Sequence, residues 1–416
     1  MKSKFTIGNQ FNTLNKSVLI IMTCIFIFNL PGYGQQASTS KQKVVTGEKR
    51  LIVLEGTPYE RGKIHGEKLK VEINEFVKIW KANIREVYQI EPDKFIADFI
   101  RYTDYQPAIK KYTPDLLEEV RGIAEGCGID FDTMYVFQLV DEYWLNTADM
   151  NGERCSSLGM SKNEDGPSCV AQNMDVEGFR NGYQVVLHIK DQDSLQETFI
   201  FTFAGFIATN GINNKGVGVV VNAMSQLSYA REGLPVAFVI RGMLEKNNPE
   251  DAVKFLHRVK HASPQNYIIG GPEKVYDFEC SCNRIVPFQP VEGSGVVYHT
   301  NHPLVNDDYN PKYRDALKAL GENATVTRRG NSFVRFDALQ KRLIVKQKTD
   351  RISQIKGALS SHDSERHPIC RPYTNSRSGF TFGSTIMVLS GKPEFHVSFG
   401  PPDSNPYQVF KFGNSN

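Results

Sequence analysis

The chain has 416 residues, 40% hydrophobic and 23% charged, with 33 Gly and 20 Pro. These are ordinary globular proportions, and they exclude a collagen-like, coiled-coil or wholly disordered chain. Lys and Arg total 49 against 46 Asp and Glu, for a net charge of +3, and three of those lysines (Lys2, Lys4, Lys16) fall in the first 34 residues, which hold no acid. The remaining body is neutral, so no nucleic-acid partner is expected, because binding phosphate needs clustered basic charge.

Residues 1–34 carry the pattern of a secretory signal peptide. A basic start precedes an apolar run at 18–28, eleven residues that fall short of a membrane span. Asn29, Pro31 and Gly32 break the run, and Gly32-Tyr33-Gly34 offers small residues for cleavage before Gln35. The expectation is an exported protein, periplasmic or extracellular, with no stable membrane span after leader removal; the other reading of the run is an uncleaved N-terminal anchor. Residues 35–50 are polar and read as a flexible tether.

From 58 to 150 the pattern is mostly helical. Ile73, Phe76, Val77 and Trp80 recur at three- and four-residue steps. Thr113-Pro114-Asp115 is a helix start, followed by the stripe Leu116, Leu117, Val120, Ile123 and Ala124, with Gly126 and Gly128 ending it. After about 154 the texture turns to strands, at 183–189, 198–203 and 217–221, joined by Asn/Gly turns. Helices follow at 236–245 and after the Asn248-Pro249-Glu250-Asp251 cap, with Val253, Phe255, Leu256 and Val259 inward. Strands return at 267–270, 275–279 and 296–299, and a helix at 332–344 carries Phe333, Phe336, Leu339 and Leu343 on one side. Strands at 385–389, 394–399 and 408–412 close the chain. Runs of helices and strands in this order predict an α+β layered body.

Cys24 lies in the leader, which leaves six cysteines: Cys127, Cys155, Cys169, Cys280, Cys282 and Cys370. An oxidising compartment allows disulfides among them. No CxxC pair is present, so no structural zinc is expected. His299 and His302 have H-x-x-H spacing, but on a strand or turn the two do not converge as they do on a helix, so no metal is expected there either. Cys280 and Cys282 share one face of a strand and read as core, and His65 reads as structural.

Cys155 stands where the helical half meets the strand half, in Glu153-Arg154-Cys155-Ser156-Ser157-Leu158-Gly159. A thiol is a strong nucleophile once a base takes its proton. If the Arg154–Cys155 bond were cut, the new α-amine would sit on the same residue. Its reference pKa of about 7.7–8.0 lies close to the thiol's, about 8.5, so proton transfer between them is nearly balanced. The other reading of Cys155 is a small buried hydrophobe.

Around Cys155, and in Ala171-Gln172-Asn173-Met174-Asp175, the sequence resembles the acyl-coenzyme A:6-aminopenicillanic acid acyltransferase family of N-terminal nucleophile hydrolases. Further matches run in order: Gly62-Lys63-Ile64-His65-Gly66, Gly211-Ile212-Asn213, Asn222-Ala223-Met224, Asn266-Tyr267, Phe278-Glu279, His299-Thr300-Asn301-His302 and Ile369-Cys370-Arg371. The resemblance implies a four-layer αββα sandwich in a single domain over 51–416, cut by the protein itself before Cys155 into a 51–154 part and a nucleophile-bearing 155–416 part. It implies Cys155 as nucleophile with its own amine as base, and Asp175 as the carboxylate orienting that pair. Asn301 becomes an oxyanion donor, Asn222 a second donor, and Arg371 a support for the nucleophile.

Two departures stand out. Arg154 occupies the position where the family usually has glycine, and Pro368 the position where the penicillin enzyme has serine. No cofactor is expected. The expected partner is a small-molecule amide, hydrolysed through an acyl-thioester, with transfer of the acyl group to an amine and a catalytically silent binding protein as the alternatives. A homo-oligomer stays open. Tyr143, Trp144, Phe179 and Tyr183 suit either an apolar acyl pocket or core.

Overall fold

The computed structural model describes residues 50–147, 155–191, 195–320, 330–345 and 349–413. The expected leader, nearly all of the tether, and Arg154 lie outside these residues. No described helix is long and apolar enough to cross a membrane.

The described residues open with strand β1 (Leu51–Glu55), followed by helices α1 (Pro58–Lys68), α2 (Lys70–Tyr88), α3 (Pro92–Tyr102), α4 (Gln106–Tyr112), α5 (Pro114–Cys127), α6 (Phe131–Phe137) and α7 (Val140–Thr147). The Thr57 hydroxyl and the Glu60 carboxylate form a capping box that starts α1. Gly128, in the left-handed region at φ +77°, ends α5.

The strands after residue 155 build two sheets. The first runs β1–β4–β5–β6–β7–β8–β9–β10, with β4 (Gln184–Lys190), β5 (Glu197–Phe203), β6 (Asn210–Asn213), β7 (Gly218–Ala223), β8 (Gln265–Gly270), β9 (Val275–Cys280) and β10 (Ile285–Pro287). The second runs β11–β2–β3–β12–β13–β14, with β11 (Val296–His299), β2 (Ser156–Met160), β3 (Cys169–Glu177), β12 (Gly379–Val388), β13 (Glu394–Ser398) and β14 (Gln408–Lys411). Every pairing is antiparallel except β1 on β4.

The sheets face each other, β2 and β3 touching β7 and β8. Helices α8 (Val236–Leu244) and α9 (Pro249–Arg258) cover the first sheet. Helices α11 (Asn331–Ile344) and α12 (Arg351–Leu359) cover the second, and α10 (Pro311–Leu320) precedes them. The order of layers is therefore helix, sheet, sheet, helix, which is the four-layer α+β sandwich that was expected.

The structure extends the sequence reading in places. β1, β2 and β3 carry no clean alternation of apolar and polar residues. β2 is buried throughout and β3 nearly so, because the second sheet has a sheet on one side and helices on the other. β12 begins at Gly379, not 385, and α10 and α12 had no counterpart in the expected elements.

Two contacts lock the first helices to the body. α1 and α5 cross with backbones touching: a Cβ on Gly62 would lie 1.9 Å from the Glu119 carbonyl oxygen, and one on Gly122 would lie 2.1 Å from that of Tyr59. Glu119 itself, 0% exposed, takes a bidentate ion pair from Arg241 of α8 at 2.6 and 2.8 Å. Removing one partner of such a buried pair typically costs about 3–5 kcal/mol, since the other charge is left uncompensated. His65 is neutral, its pKa driven down to about 4 by burial, and its Nε2 accepts from the Gly205 amide.

Helix substitutions separate close packing from propensity. Gly122→Ala should lower stability by about 1–3 kcal/mol through overpacking. Gly357→Ala in α12, where nothing lies within 4 Å of the new methyl, should raise it by up to about 1 kcal/mol. Urea unfolding of the two variants measures both, and equal effects would contradict the close crossing.

Candidate functional site

Cys155 sits immediately before β2 and is 5% exposed. Its backbone N–H donates to Asn301 Oδ1 at 2.8 Å. Its carbonyl oxygen accepts from Arg335 Nη1 at 2.5 Å. The same guanidinium donates to Ser156 Oγ at 2.9 Å and, through Nη2, to Asn301 Oδ1 at 2.9 Å. Asn301 and Arg335 thus hold both backbone groups of Cys155 and hold each other.

Each clamp residue is itself fixed. Asn301 follows β11, and its N–H donates to Ser332 Oγ at 2.7 Å while its Nδ2 donates to the Ala223 carbonyl at the end of β7 at 3.1 Å. Arg335 lies one turn into α11, 0% exposed, and its Nε donates to Asn331 Oδ1 at 2.8 Å. Asn331 Nδ2 in turn reaches His367 Nδ1 at 2.9 Å. Two donors converge on Asn301 Oδ1 and a carbonyl faces Nδ2, which fixes the orientation of the amide.

Sequence reasoning gave Asn301 an oxyanion role, with its N–H₂ turned to the substrate. In this structure the amide oxygen accepts from the Cys155 N–H, and Nδ2 gives one of its two hydrogens to the Ala223 carbonyl. Arg335 was missed. Its signal was present: on α11 the buried face is Arg335, Ala338, Leu339 and Leu343, so a charge stands on an apolar stripe. A buried guanidinium at such a place needs hydrogen-bond partners.

Between the sheets the register aligns a polar strip. Asn222 on β7 is 0% exposed; its Oδ1 accepts from Ser157 Oγ, and its Nδ2 has no hydrogen-bond partner among the described residues. Further along, His299 Nε2 meets Glu279 Oε1 at 2.9 Å and its Nδ1 meets the Thr300 carbonyl at 2.8 Å. Burial opposes charge on His299, but Glu279 and Asp277 outweigh it and raise its pKa. Glu279 also accepts three backbone N–H groups, from Leu304, Val305 and Asn306. His302 turns instead to Ser332 Oγ at 2.7 Å, and burial, with His299 and Arg335 adding, pushes its pKa down to about 3. The two histidines of the H-x-x-H stretch therefore serve different partners.

Asp175 lies on β3, on the face that carries Asn173 toward α12, and its Oδ1 accepts from Thr381 Oγ1 at 2.7 Å. A bulge in β12 between Thr381 and Gly383 falls at this point. Thr381 also ties Arg371: the Arg371 N–H donates to Thr381 Oγ1 at 2.9 Å, and the Thr381 N–H donates to the Arg371 carbonyl at 3.0 Å. The Arg371 guanidinium lies over Gly379 at the start of β12. The arginine hydrogen-bonded to Cys155 is thus Arg335, and Arg371 braces Asp175 through its backbone.

The aromatic residues divide. Tyr183 stacks on Phe76 at 4.7 Å, and Tyr143 accepts from Trp80 Nε1 at 2.9 Å, so both belong to the core of the helical layer. Trp144 and Phe179 stay partly exposed. Cys280 is fully buried, and no disulfide joins any of the described cysteines.

The sequence model of a family described as acyl-coenzyme A:6-aminopenicillanic acid acyl-transferase matches residues 161–386, more than half of the chain. The match begins just past Cys155 and takes in Asp175, Asn222, Asn301, Arg335 and Arg371. A curated relative, protein dcd1A of Dictyostelium discoideum, is 24% identical over 287 residues; the match covers 62% of this chain and 64% of that protein. Among solved structures, the chain is similar to penicillin V acylase from Agrobacterium tumefaciens (14% identity, TM-score 0.40, 62% of this chain and 86% of that one). It is also similar to a point mutant of conjugated bile acid hydrolase from Clostridium perfringens (14% identity, TM-score 0.37, 62% of this chain and 99% of that one).

The polar strip has a consequence for stability. Burial pushes the Asp277 carboxyl up to about 7, with His299 opposing and Glu279 adding. An unfolded aspartate titrates near about 3.9. The folded chain therefore holds this proton more tightly, and the associated stability, full below about pH 4, is lost as the pH rises toward 7. Asp277→Asn should make unfolding free energy fall less between those pH values than it does in the parent. Parallel slopes in urea unfolding would contradict the assignment.

Proposed function

Because the chain belongs to the acyl-coenzyme A:6-aminopenicillanic acid acyl-transferase family, we propose that it is an exported enzyme that cuts itself before Cys155 and then hydrolyses a linear carbon–nitrogen amide. The observation that carries this reading is the double clamp on Cys155, with the nitrogen on Asn301 and the carbonyl on Arg335. Such a clamp suits a residue whose nitrogen must become a chain terminus without moving. After cleavage the Asn301 oxygen accepts from the new amine, which leaves that amine's lone pair for the thiol proton.

The chemistry then balances in two steps. The Cys155 sulfur attacks the substrate carbonyl, the α-amine takes the thiol proton and passes it to the leaving amine, and a thioester remains. Water attacks the thioester, the acid departs, and the proton returns to sulfur. Negative charge develops twice on the carbonyl oxygen. The buried Asn222 Nδ2 is a donor of the required type, and one such donor is typically worth about 2.7–4 kcal/mol. The fixed charge of Arg335 favours the anionic forms of the site. Asp175, held by Thr381, orients the nucleophile segment from the other face of β3. Export favours water over an acyl-coenzyme A partner, since that thioester is scarce outside the cytoplasm.

Intact-mass analysis of the purified protein tests the first step. The expected result is two pieces, one of them spanning 155–416, with Cys155→Ala remaining whole. An unbroken parent chain that stays active would overturn the proposal. Incubation with an acyl-amide, with and without a competing amine, tests the second step. Free acid is expected in both cases, and transfer product alone would assign the chain to acyl transfer.

A further inference from the structure

We propose that His362, Cys370 and Asp403 form a binding site for a soft divalent cation of the zinc class, on the outer side of the second sheet. Their ligating atoms all lie within 4.8 Å of one another, and among the described residues no other trio of His, Cys, Asp or Glu gathers so closely. Ligands about 2.0–2.3 Å from a tetrahedral zinc lie roughly 3.5 Å apart, so the trio needs to close by only about an ångström. His362 Nε2 and Asp403 Oδ2 stand 2.9 Å apart as a hydrogen-bonded pair, which opens by about half an ångström when both ligate the ion.

The site is built, not incidental. The ligands come from two segments: His362 and Cys370 from the connection between α12 and β12, and Asp403 from the turn between β13 and β14. The Cys370 N–H donates to the Ser361 carbonyl at 3.1 Å, which folds that connection back on itself and brings the thiol to His362. The turn bearing Asp403 is closed by the Ser404 and Asn405 N–H groups on the Pro401 carbonyl, at 3.2 and 3.0 Å. The Cys370 residue is 0% exposed, whereas the side chains of His362 and Asp403 are 45% and 32% exposed. The sulfur thus lies at the base, and the open side faces water, which can supply the fourth ligand. One sulfur, one imidazole nitrogen and one carboxylate suit zinc and exclude the all-oxygen preference of calcium and magnesium. On binding, the metal–sulfur bond forms and the thiol proton passes to solvent.

The site adjoins the nucleophile's support. Ile369, before the ligand cysteine, accepts Asn173 Nδ2 at 3.1 Å, and Arg371, after it, is the residue tied to Thr381 and hence to Asp175. A bound cation would therefore stiffen the segment that braces β3.

The test uses the full chain carrying Cys155→Ala, stripped by chelator, so that the nucleophile thiol takes no metal. Co(II) is the probe. The expected result is one equivalent bound, with a thiolate-to-cobalt charge-transfer band and the intense visible bands of a tetrahedral site, displaced by Zn(II). His362→Ala and Asp403→Asn, both at exposed positions, should weaken binding at least tenfold with unchanged circular dichroism. No charge-transfer band, or undiminished Co(II) binding in both variants (as for metal held by another thiol such as Cys282), would overturn the proposal.

Discussion

The site depends on one constraint: the two backbone polar groups of a single buried cysteine are both taken by side chains. Asn301 takes the nitrogen and Arg335 the carbonyl, and the guanidinium bridges the two. Hydrogen bonds to a charged group contribute about 1.5–3 kcal/mol each, so this bridge is among the strongest local restraints available without a covalent link. It acts where the chain passes from the helical part into β2. A residue held by both of its backbone groups keeps its position in the site.

The four layers explain why the clamp can exist. Asn301 arrives from the end of β11, Arg335 from a helix on the outer face, and the Ala223 carbonyl from the other sheet. No local segment could bring these three together. The sandwich does so because β2 is covered on both sides, by β7 and β8 within and, through Leu158, Met160, Ala338, Leu339 and Leu343, by α11 without. The same burial that positions the polar groups forces them to satisfy one another. Ser332 shows this, accepting from the Asn301 amide while meeting the Thr300 and His302 side chains.

Much of the fold was legible in the sequence. Amphipathic helices such as α2 and α5 carry their stripes openly, because one face meets water. The central strands were not legible as strands, because β2 and β3 are buried on both faces and lose the period of two. For the site, Cys155 and Asn301 stood out through the family motifs, and the structure joins them directly. Asn222 lies one hydrogen bond away through Ser157, and Asp175 and Arg371 form a separate pair through Thr381. Arg335 escaped because it carries no motif; only its place on an apolar helix face marked it. The His362, Cys370 and Asp403 group escaped for another reason: spacing rules read ligands at short intervals, and here two lie well apart in one connection and the third on another turn.

The clamp is tested most directly by Arg335→Lys, which keeps the positive charge but lacks the planar fork that spans the Cys155 carbonyl and Asn301. The measurement is the single-turnover rate at which Cys155 is acylated by an activated acyl ester, with circular dichroism as the check on folding. The account predicts a folded protein acylated roughly 10²-fold more slowly, the cost expected when a reacting group is misplaced by about an ångström. A folded variant acylated at the parent rate would contradict it.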